Sequence, residues 1–266
     1  MKYFKIIVIV LFVAGVGLYA GALAKDKADQ DPNRPVITSQ KNEIEVPADY
    51  TEEQLKEGLS AWDEEDGNLT DQILIGEFSQ FIEKGVCNVS YIVFDSANQP
   101  ATLSRKVRFT GYESPKFTLS SPLVFESGMG TDILGRIGAS DMLDGNVSSM
   151  VKQTGSDVAY QAPGVYTIHV EVTNSLGDVS SAALPVHIVE PSAQLLNNKA
   201  PLIYLKKGTA FDANTCKSQV TDAHGQPLDP AKIQVVSNVN INEEGVYEIQ
   251  LTSEAGVTWT TVIVRE

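Results

Sequence analysis

The chain has 266 residues and a formal net charge of -14, with 34 acidic side chains against 20 Lys and Arg. This length is too great for one small domain and suits two or three domains of ordinary size. A surface this acidic repels phosphate backbones, so we expect no nucleic-acid partner.

The N-terminal residues form an apolar run. Lys2 and Lys5 precede an uncharged stretch over residues 6–24, which as a helix would be roughly 28 Å long, close to the thickness of a bilayer core. We expect residues 1–24 to be a signal anchor that places a single-pass protein in the cell membrane, with its C-terminal domains outside the cell. The small residues that end at Ala24 leave open a signal peptide that is cleaved there, and then a secreted protein.

Two short motifs recur along the rest of the chain. An Asp-x-x-Asp-Gly-Asn block stands at residues 63–68 and 141–146, with a fainter copy at 222–228. A Gly-Val pair follows each copy and opens an alternating apolar run. The glycines of the first block, at positions 67, 145 and 225, give a period of about 80 residues. The repeat predicts a linker at 25–34, domains at 35–111 and 114–190, a linker at 191–199 and a divergent third domain at 200–266.

In the first domain, Thr51 and Gln54 have the spacing of a capping box. They predict a short helix with Leu55, Leu59 and Trp62 on one side, leading to Asp63. Alternating apolar residues predict strands around it. The predicted strands of this domain are 36–38, 43–46, 73–75, 87–93 and 102–109, with a turn at 95–98.

The second and third domains repeat this scheme. Short strands, frequent turn signals and almost no helical periodicity indicate antiparallel sandwiches. The predicted fold is therefore all-β, with three tandem Ig-like antiparallel β-sandwiches after one N-terminal apolar helix. The main predicted strands are 116–119, 123–125, 166–172 and 182–189 in the second domain, and 202–205, 233–236, 247–251 and 257–264 in the third.

The Asp-Gly block has two interpretations. Asp and Asn side chains bind backbone N–H groups nearby, and Gly supplies a positive φ, so the block makes a stable turn without a ligand. Alternatively, the oxygen-rich side chains bind calcium, although the spacing is not that of an EF-hand. No other cofactor is expected. The candidate calcium ligands are Asp63, Glu64, Asp66, Asp71 and Asp95.

The two blocks resemble a known family of bacterial Ig-like surface repeats, of the type first described in an insecticidal crystal toxin. The resemblance covers residues 61–70 and 85–95 of the first domain and 140–148 and 164–174 of the second. It is partial in the third domain. The resemblance implies exported proteins of Gram-positive bacteria with adhesin-like or spacer roles, and it brings no fixed catalytic residues.

Cysteine, histidine and tryptophan side chains are the other candidates for a site. Cys87 and Cys216 lie in different repeats and are expected to be reduced and buried. His187, like His169, is expected on the outer face of a strand. Trp62 and Trp259 are expected to pack in a core or at its rim, with a sugar-stacking platform as the alternative.

These observations predict a protein that is not an enzyme. No nucleophile elbow, zinc-binding helix or phosphate-binding loop occurs in the sequence. We expect an exported, membrane-tethered spacer or protein-interaction and adhesion module, whose partner is an unknown extracellular protein or glycan. The alternatives are a carbohydrate-binding or calcium-dependent adhesive module and, more remotely, a cell-wall-processing enzyme.

Overall fold

The computed structural model describes residues 15, 16, 19, 34–129 and 132–266. These residues form strands and short helical turns, which confirms the predicted all-β sandwich fold. The chain divides into two compact units, the first ending at Thr110 and the second running from Gly111 to Glu266. The boundaries of three separate domains stay a prediction.

The first unit has two facing sheets. One sheet has the strand order β1-β3-β4 and the other the order β2-β7-β6-β5. Strand β2 runs parallel to β7, whereas the other pairs are antiparallel. The elements are β1 (Val36–Ser39), β2 (Glu43–Val46), α1 (Glu52–Lys56), β3 (Leu59–Asp63), β4 (Gly67–Asn68), a 3-10 helix (Thr70–Gln72), β5 (Leu74–Phe78), β6 (Val86–Phe94) and β7 (Pro100–Phe109).

The second unit contains two further copies of this arrangement. The first copy is made of β8 (Lys116–Leu119), β9 (Val124–Glu126), β10 (Ile137–Asp141), β11 (Gly145–Asn146), β12 (Lys152–Ser156), β13 (Gly164–Thr173) and β14 (Val179–Val189), with 3-10 helices at Leu134–Arg136 and Ser148–Met150. The second copy is made of β15 (Asn197–Asn198), β16 (Leu202–Lys206), β17 (Val220–Thr221), β18 (Gln234–Ser237), β19 (Gly245–Ser253) and β20 (Gly256–Arg265), with 3-10 helices at Ala213–Gln219 and Pro230–Lys232.

The larger sheets of the three repeats share one topology. Their strand orders are β2-β7-β6-β5, β9-β14-β13-β12 and β16-β20-β19-β18. In each repeat the opening strand of this sheet pairs in parallel with the last strand. A purely antiparallel sandwich was expected. The difference arises because the opening segment changes sheets without reversing its direction.

The strongest predicted strand pattern of the first unit is confirmed in β6. Cys87, Val89, Tyr91 and Val93 are fully buried, and the residues between them are more exposed. Burial raises the pKa of the Cys87 thiol to about 11. The alternating burial fixes the register of β6, because a slip by one residue would turn the apolar side chains outward.

The predicted helix before Asp63 is shorter than expected. The capping box forms, since Thr51 Oγ1 accepts the N–H of Gln54 and Gln54 Oε1 accepts the N–H of Thr51. Helix α1 nevertheless ends at Lys56, because Gly58 takes a left-handed φ of 71° and starts an extended chain. In the following strand β3, burial alternates with period two. Trp62 therefore faces solvent and not the core.

Two repeats pack directly against each other inside the second unit. Leu202, Val246 and Ile263 of the last repeat contact the core of the repeat before it. The hydroxyl of Tyr204 accepts the N–H of Phe117 at 2.7 Å. Polar and apolar contacts together make the last two repeats one body.

The predicted membrane location is corrected. Among the residues that the structure describes, no helix is both long enough and apolar enough to cross a membrane. The expected apolar helix over residues 6–24 falls almost entirely outside those residues. The single-pass anchor expected from the sequence thus has no support.

Arg105 is a buried cation that holds the first unit together. Its guanidinium donates to the backbone oxygens of Leu55 and Glu57 and, through Nε, to the hydroxyl of Tyr91 at 3.1 Å. It also lies over the Tyr91 ring, 5.1 Å from the ring centroid. Because α1 ends at these carbonyl groups, Arg105 ties the end of the helix to the centre of β7.

We predict that Arg105→Ala lowers the free energy of unfolding by roughly 3 kcal/mol, because the Glu57 carbonyl loses the guanidinium donor and the buried Leu55 carbonyl keeps only the Tyr91 hydroxyl. Urea denaturation measures the change. Arg108→Ala is the matched control, since Arg108 is a half-exposed cation on the same strand that pairs with Glu43 and Glu83. The control should lose much less stability. Equal losses in the two variants would contradict a structural role for the buried guanidinium.

Candidate functional site

The first Asp-Gly block forms a turn that satisfies its own backbone. Asp63 ends β3, and its Oδ1 accepts the N–H groups of Glu65 at 2.8 Å and Asp66 at 2.9 Å. Gly67 takes a φ of 73°, as expected from the motif. Asn68 Oδ1 accepts the N–H of Thr70 at 3.0 Å. The turn interpretation of the motif is therefore confirmed.

The same turn recurs in the second repeat, and a related turn stands in the third. Asp141 Oδ1 accepts the N–H groups of Leu143 and Asp144 at 2.9 and 3.0 Å. Asp222 Oδ1 accepts two backbone N–H groups in the faint third copy, at 2.9 and 2.8 Å. Gly145 and Gly225 also have positive φ. The block of the first two repeats thus forms one hydrogen-bonded turn, whereas the third copy closes differently, with Asp222 Oδ1 accepting the N–H groups of His224 and Gln226.

The turn is joined to the hairpin of the opposite sheet. Asp66 Oδ2 accepts the N–H of Ser96 at 2.7 Å, and Ser96 lies in the turn between β6 and β7. In the second repeat, Asp144 Oδ2 accepts the N–H of Ser175 at 2.6 Å. We call this contact the turn–hairpin joint. When the joints of the two repeats are compared, Asp63 corresponds to Asp141 and Asp95 corresponds to Asn174.

In the second repeat, the joint is closed by a polar network. Asn174 Nδ2 donates to Asp141 Oδ2 at 3.2 Å and to the hydroxyl of Tyr112 at 2.8 Å. That hydroxyl in turn donates to Asp178 Oδ2 at 2.8 Å. Asp141 and Asn174 are both buried, and the network gives their polar atoms partners. Sequence reasoning missed this network, because its members are far apart in the chain.

In the first repeat, a buried carboxylate stands on each side of the joint. Asp95 stands where the second repeat has Asn174, and its Oδ1 accepts the N–H of Gln99 at 2.7 Å. Asp63 is 1% exposed and Asp95 is 6% exposed. In the part of the chain that the structure describes, neither Asp63 Oδ2 nor Asp95 Oδ2 has a hydrogen-bond partner. Each carboxylate therefore has one anchored oxygen and one oxygen left without a donor.

The five predicted calcium ligands differ in burial. Glu64, Asp66 and Asp71 are exposed, whereas Asp63 and Asp95 are buried. Asp66 reaches the residue next to Asp95 through the joint. Within residues 34–129 and 132–266, no group of three or more His, Cys, Asp or Glu side chains is placed to hold a metal ion. The calcium site with five ligands stays a prediction.

Trp62 lies on an exposed sheet face of the first unit. Its side chain is 62% exposed, and its cross-strand neighbour Val36 is 58% exposed. Thr38 and Ser60 lie on the same face, where their hydroxyl oxygens are 2.7 Å apart. Asn68 of β4 pairs with Trp62 on the other side. We call these five outward residues of β1, β3 and β4 the Trp62 face. The expectation that Trp62 packs in a core or at its rim was wrong.

His187 is buried, contrary to expectation. Its Nε2 lies 2.6 Å from Glu248 Oε1, and its ring stacks on Trp259 with centroids 4.1 Å apart. Glu248 and Trp259 belong to the last repeat, which covers this face of β14. The alternation of β14 places His187 on its outer face, but it does not reveal that another repeat packs there.

The comparisons with known proteins show distant similarities. No family model matches the chain. The chain is 25% identical over 143 residues to an uncharacterized 81.3 kDa protein of Acholeplasma phage L2, covering 51% of this chain and 19% of that protein. It is 26% identical over 200 residues to the pesticidal crystal protein Cry22Aa of Bacillus thuringiensis, covering 72% of this chain and 27% of the crystal protein.

The chain thus spans less than a third of the length of these relatives. The similarity to a crystal protein agrees with the resemblance found in the motifs. Membership of a particular repeat family stays a prediction.

Solved structures also show limited likeness. A Clostridium perfringens ZmpB structure, with its CBM51-2 bound to GlcNAc and INT domains, aligns with 63% of this chain and 30% of that chain at 18% identity and a TM-score of 0.24. The S-layer protein rSbsC(31-844) aligns with 87% of this chain and 40% of that chain at 13% identity and a TM-score of 0.20. Scores this low carry no argument about function.

Tyr112 gives the second-repeat network a measurable pH dependence. Burial, together with hydrogen bonding to Asp178 and the charge of Asp141, raises the pKa of Tyr112 far above its ordinary value. The unfolded chain releases this proton near pH 10, its ordinary pKa, whereas the folded chain keeps it to higher pH. Stability from this group is therefore complete below about pH 10 and is lost as the pH rises further.

We predict that Tyr112→Phe lowers the free energy of unfolding at neutral pH by about 1 to 2 kcal/mol, because Asp178 and Asn174 lose a buried partner. Above about pH 10, the variant should lose stability less steeply than the wild type. Urea denaturation over a pH series measures both effects. The matched control is Tyr166→Phe, whose hydroxyl donates to the Ala162 carbonyl in an exposed setting. Identical alkaline slopes in the wild type and Tyr112→Phe would contradict the prediction.

Proposed function

We propose that the chain is a non-catalytic, modular binding protein whose partner, a protein or a glycan, docks on the Trp62 face. The observation that carries this proposal is the exposure of Trp62 at the centre of a regular sheet. Val36 and Asn68 flank it on the neighbouring strands. The second repeat has Ser140 at the matching position, so it does not share the proposed site.

The chemistry of the Trp62 face supports this function. An exposed Trp keeps a large apolar surface in water, which becomes favourable when a partner covers it. Trp is also among the residues that dominate binding energy in protein interfaces. The flat ring can equally stack on the apolar face of a sugar, while nearby hydroxyl and amide groups bind polar atoms. Thr38, Ser60 and Asn68 supply such groups beside the ring.

The support beneath the face makes it suitable for binding. Leu59, Ala61 and Asp63 alternate with the outward residues of β3 and are buried. Asp63 is additionally fixed by the turn, and Thr70 Oγ1 accepts the N–H of Ala61 at 3.1 Å. A partner would therefore meet a surface that is already ordered, which lowers the entropic cost of binding.

We predict that Trp62→Ala lowers the affinity for the partner at least about tenfold, as expected for a central interface Trp. The measurement is a glycan array probed with the wild type and with Trp62→Ala, followed by titration of each glycan that binds. Tyr160→Ala is the matched control, since Tyr160 is an exposed aromatic residue of the second unit. It should bind as the wild type does. Equal binding by Trp62→Ala and the wild type would contradict the proposal.

If the wild type binds no glycan on the array, the partner to test for is a protein. A photo-crosslinking phenylalanine analogue at position 36, the cross-strand neighbour of Trp62, would then capture the partner. Unlabelled wild-type chain should compete with this capture, and unlabelled Trp62→Ala should not. Competition by both chains to the same extent would remove the Trp62 face as the docking site.

A further inference from the structure

Among the described residues, each of the two carboxylates at the first turn–hairpin joint has one oxygen that no hydrogen bond compensates. Asp63 and Asp95 come from opposite sheets, and both are more than nine-tenths buried. Their Oδ1 atoms accept backbone N–H groups, which fixes the orientation of each side chain. Their Oδ2 atoms have no hydrogen-bond partner within the described ranges 34–129 and 132–266. Burial of an uncompensated carboxylate is costly, and two close together repel each other.

The second repeat shows where these free oxygens point. Asp144 and Asp66 hold their hairpins in the same way, so Asp95 occupies the place of Asn174. Asn174 Nδ2 lies 3.2 Å from Asp141 Oδ2. An acceptor therefore stands in the first repeat where the second has a donor. The position between Asp63 and Asp95 requires a positive group.

We propose that Asp63 Oδ2 and Asp95 Oδ2 together bind a calcium ion that closes the turn–hairpin joint of the first unit. Carboxylate oxygens are the hard ligands that calcium prefers, and its flexible coordination accepts backbone carbonyls and water for the remaining positions. Because two carboxylates supply the anionic ligands, the affinity belongs to the weak class, with a Kd of roughly 0.1 to 1 mM. The inference is independent of the proposed binding function, since it concerns the buried side of β3.

This site is narrower than the one expected from the sequence. Glu64 and Asp71 take no part, because they are exposed and are not joined to the buried pair. Asp66 is not a ligand of this site. Its carboxylate accepts the N–H of Ser96 and so holds the hairpin that carries Asp95. The placement of these acids gives a direct test. Loss of the negative charge at Asp95 should abolish calcium binding, whereas loss of the charge at Asp71 should not.

The test is thermal unfolding of the full chain in about 5 mM calcium chloride and, separately, in EDTA. We expect calcium to raise the melting temperature of the wild type by about 5 °C. Asp95→Asn should abolish this shift and raise the melting temperature in EDTA, because it installs the donor found at Asn174. Asp63→Asn should also abolish the shift. Asp71→Asn, which removes the same charge from the surface, should keep it.

Three results would overturn the proposal. The first is a wild-type melting temperature that is the same in calcium and in EDTA. The second is an equal calcium shift in Asp95→Asn and Asp71→Asn, which would show adventitious binding to the acidic surface. The third is a full calcium shift in Asp63→Asn, which would remove Asp63 from the site. None of these experiments measures partner binding at the Trp62 face, so the two proposals fail separately.

Discussion

The turn–hairpin joint is the constraint on which each of the first two repeats depends. A sandwich has two sheets that hydrogen-bond within themselves and meet each other mainly through apolar contacts. Asp66 and Asp144 add a directed link, since each carboxylate accepts a backbone N–H from the hairpin of the other sheet. These bonds are charge-assisted and short, which makes them stronger than bonds between neutral groups. The link fixes where the end of one sheet stands relative to the other.

The Asp-Gly block exists because one turn must serve two purposes. Asp63 and Asp141 point inward and are buried, so their oxygens need donors, and the backbone of the same turn supplies them to Oδ1 of each side chain. The acid three residues later then faces outward and is free to reach the hairpin. The third repeat has a half-buried Asp222, whose turn closes on Gln226, and Gly225 where the second acid stands. It therefore differs from the first two repeats in the turn as well as in the acid that makes the link between sheets.

Much of the fold could be predicted from the sequence, because period-two burial and self-satisfied turns are local properties. Residues 87–93 and the turn after Asp63 follow from residue types alone. The remaining features depend on distant parts of the chain. Gly58 shortens the helix by a left-handed φ that the apolar spacing conceals. His187 lies on the outer face of its strand, as its position predicts, yet Trp259 and Glu248 cover it.

Strand β3 connects the buried joint with the exposed binding face. Neighbouring residues of a strand point to opposite sides, so Trp62 and Asp63 share a peptide group while they face solvent and core respectively. Whatever compensates the Asp63 carboxylate also fixes the backbone that carries the Trp62 ring. A rigid ring loses less conformational freedom when it is covered by a partner. The first repeat differs from the second in two ways, since it has the exposed Trp62 and it has two carboxylates at its joint. Strand β3 carries a residue of each, Trp62 and Asp63.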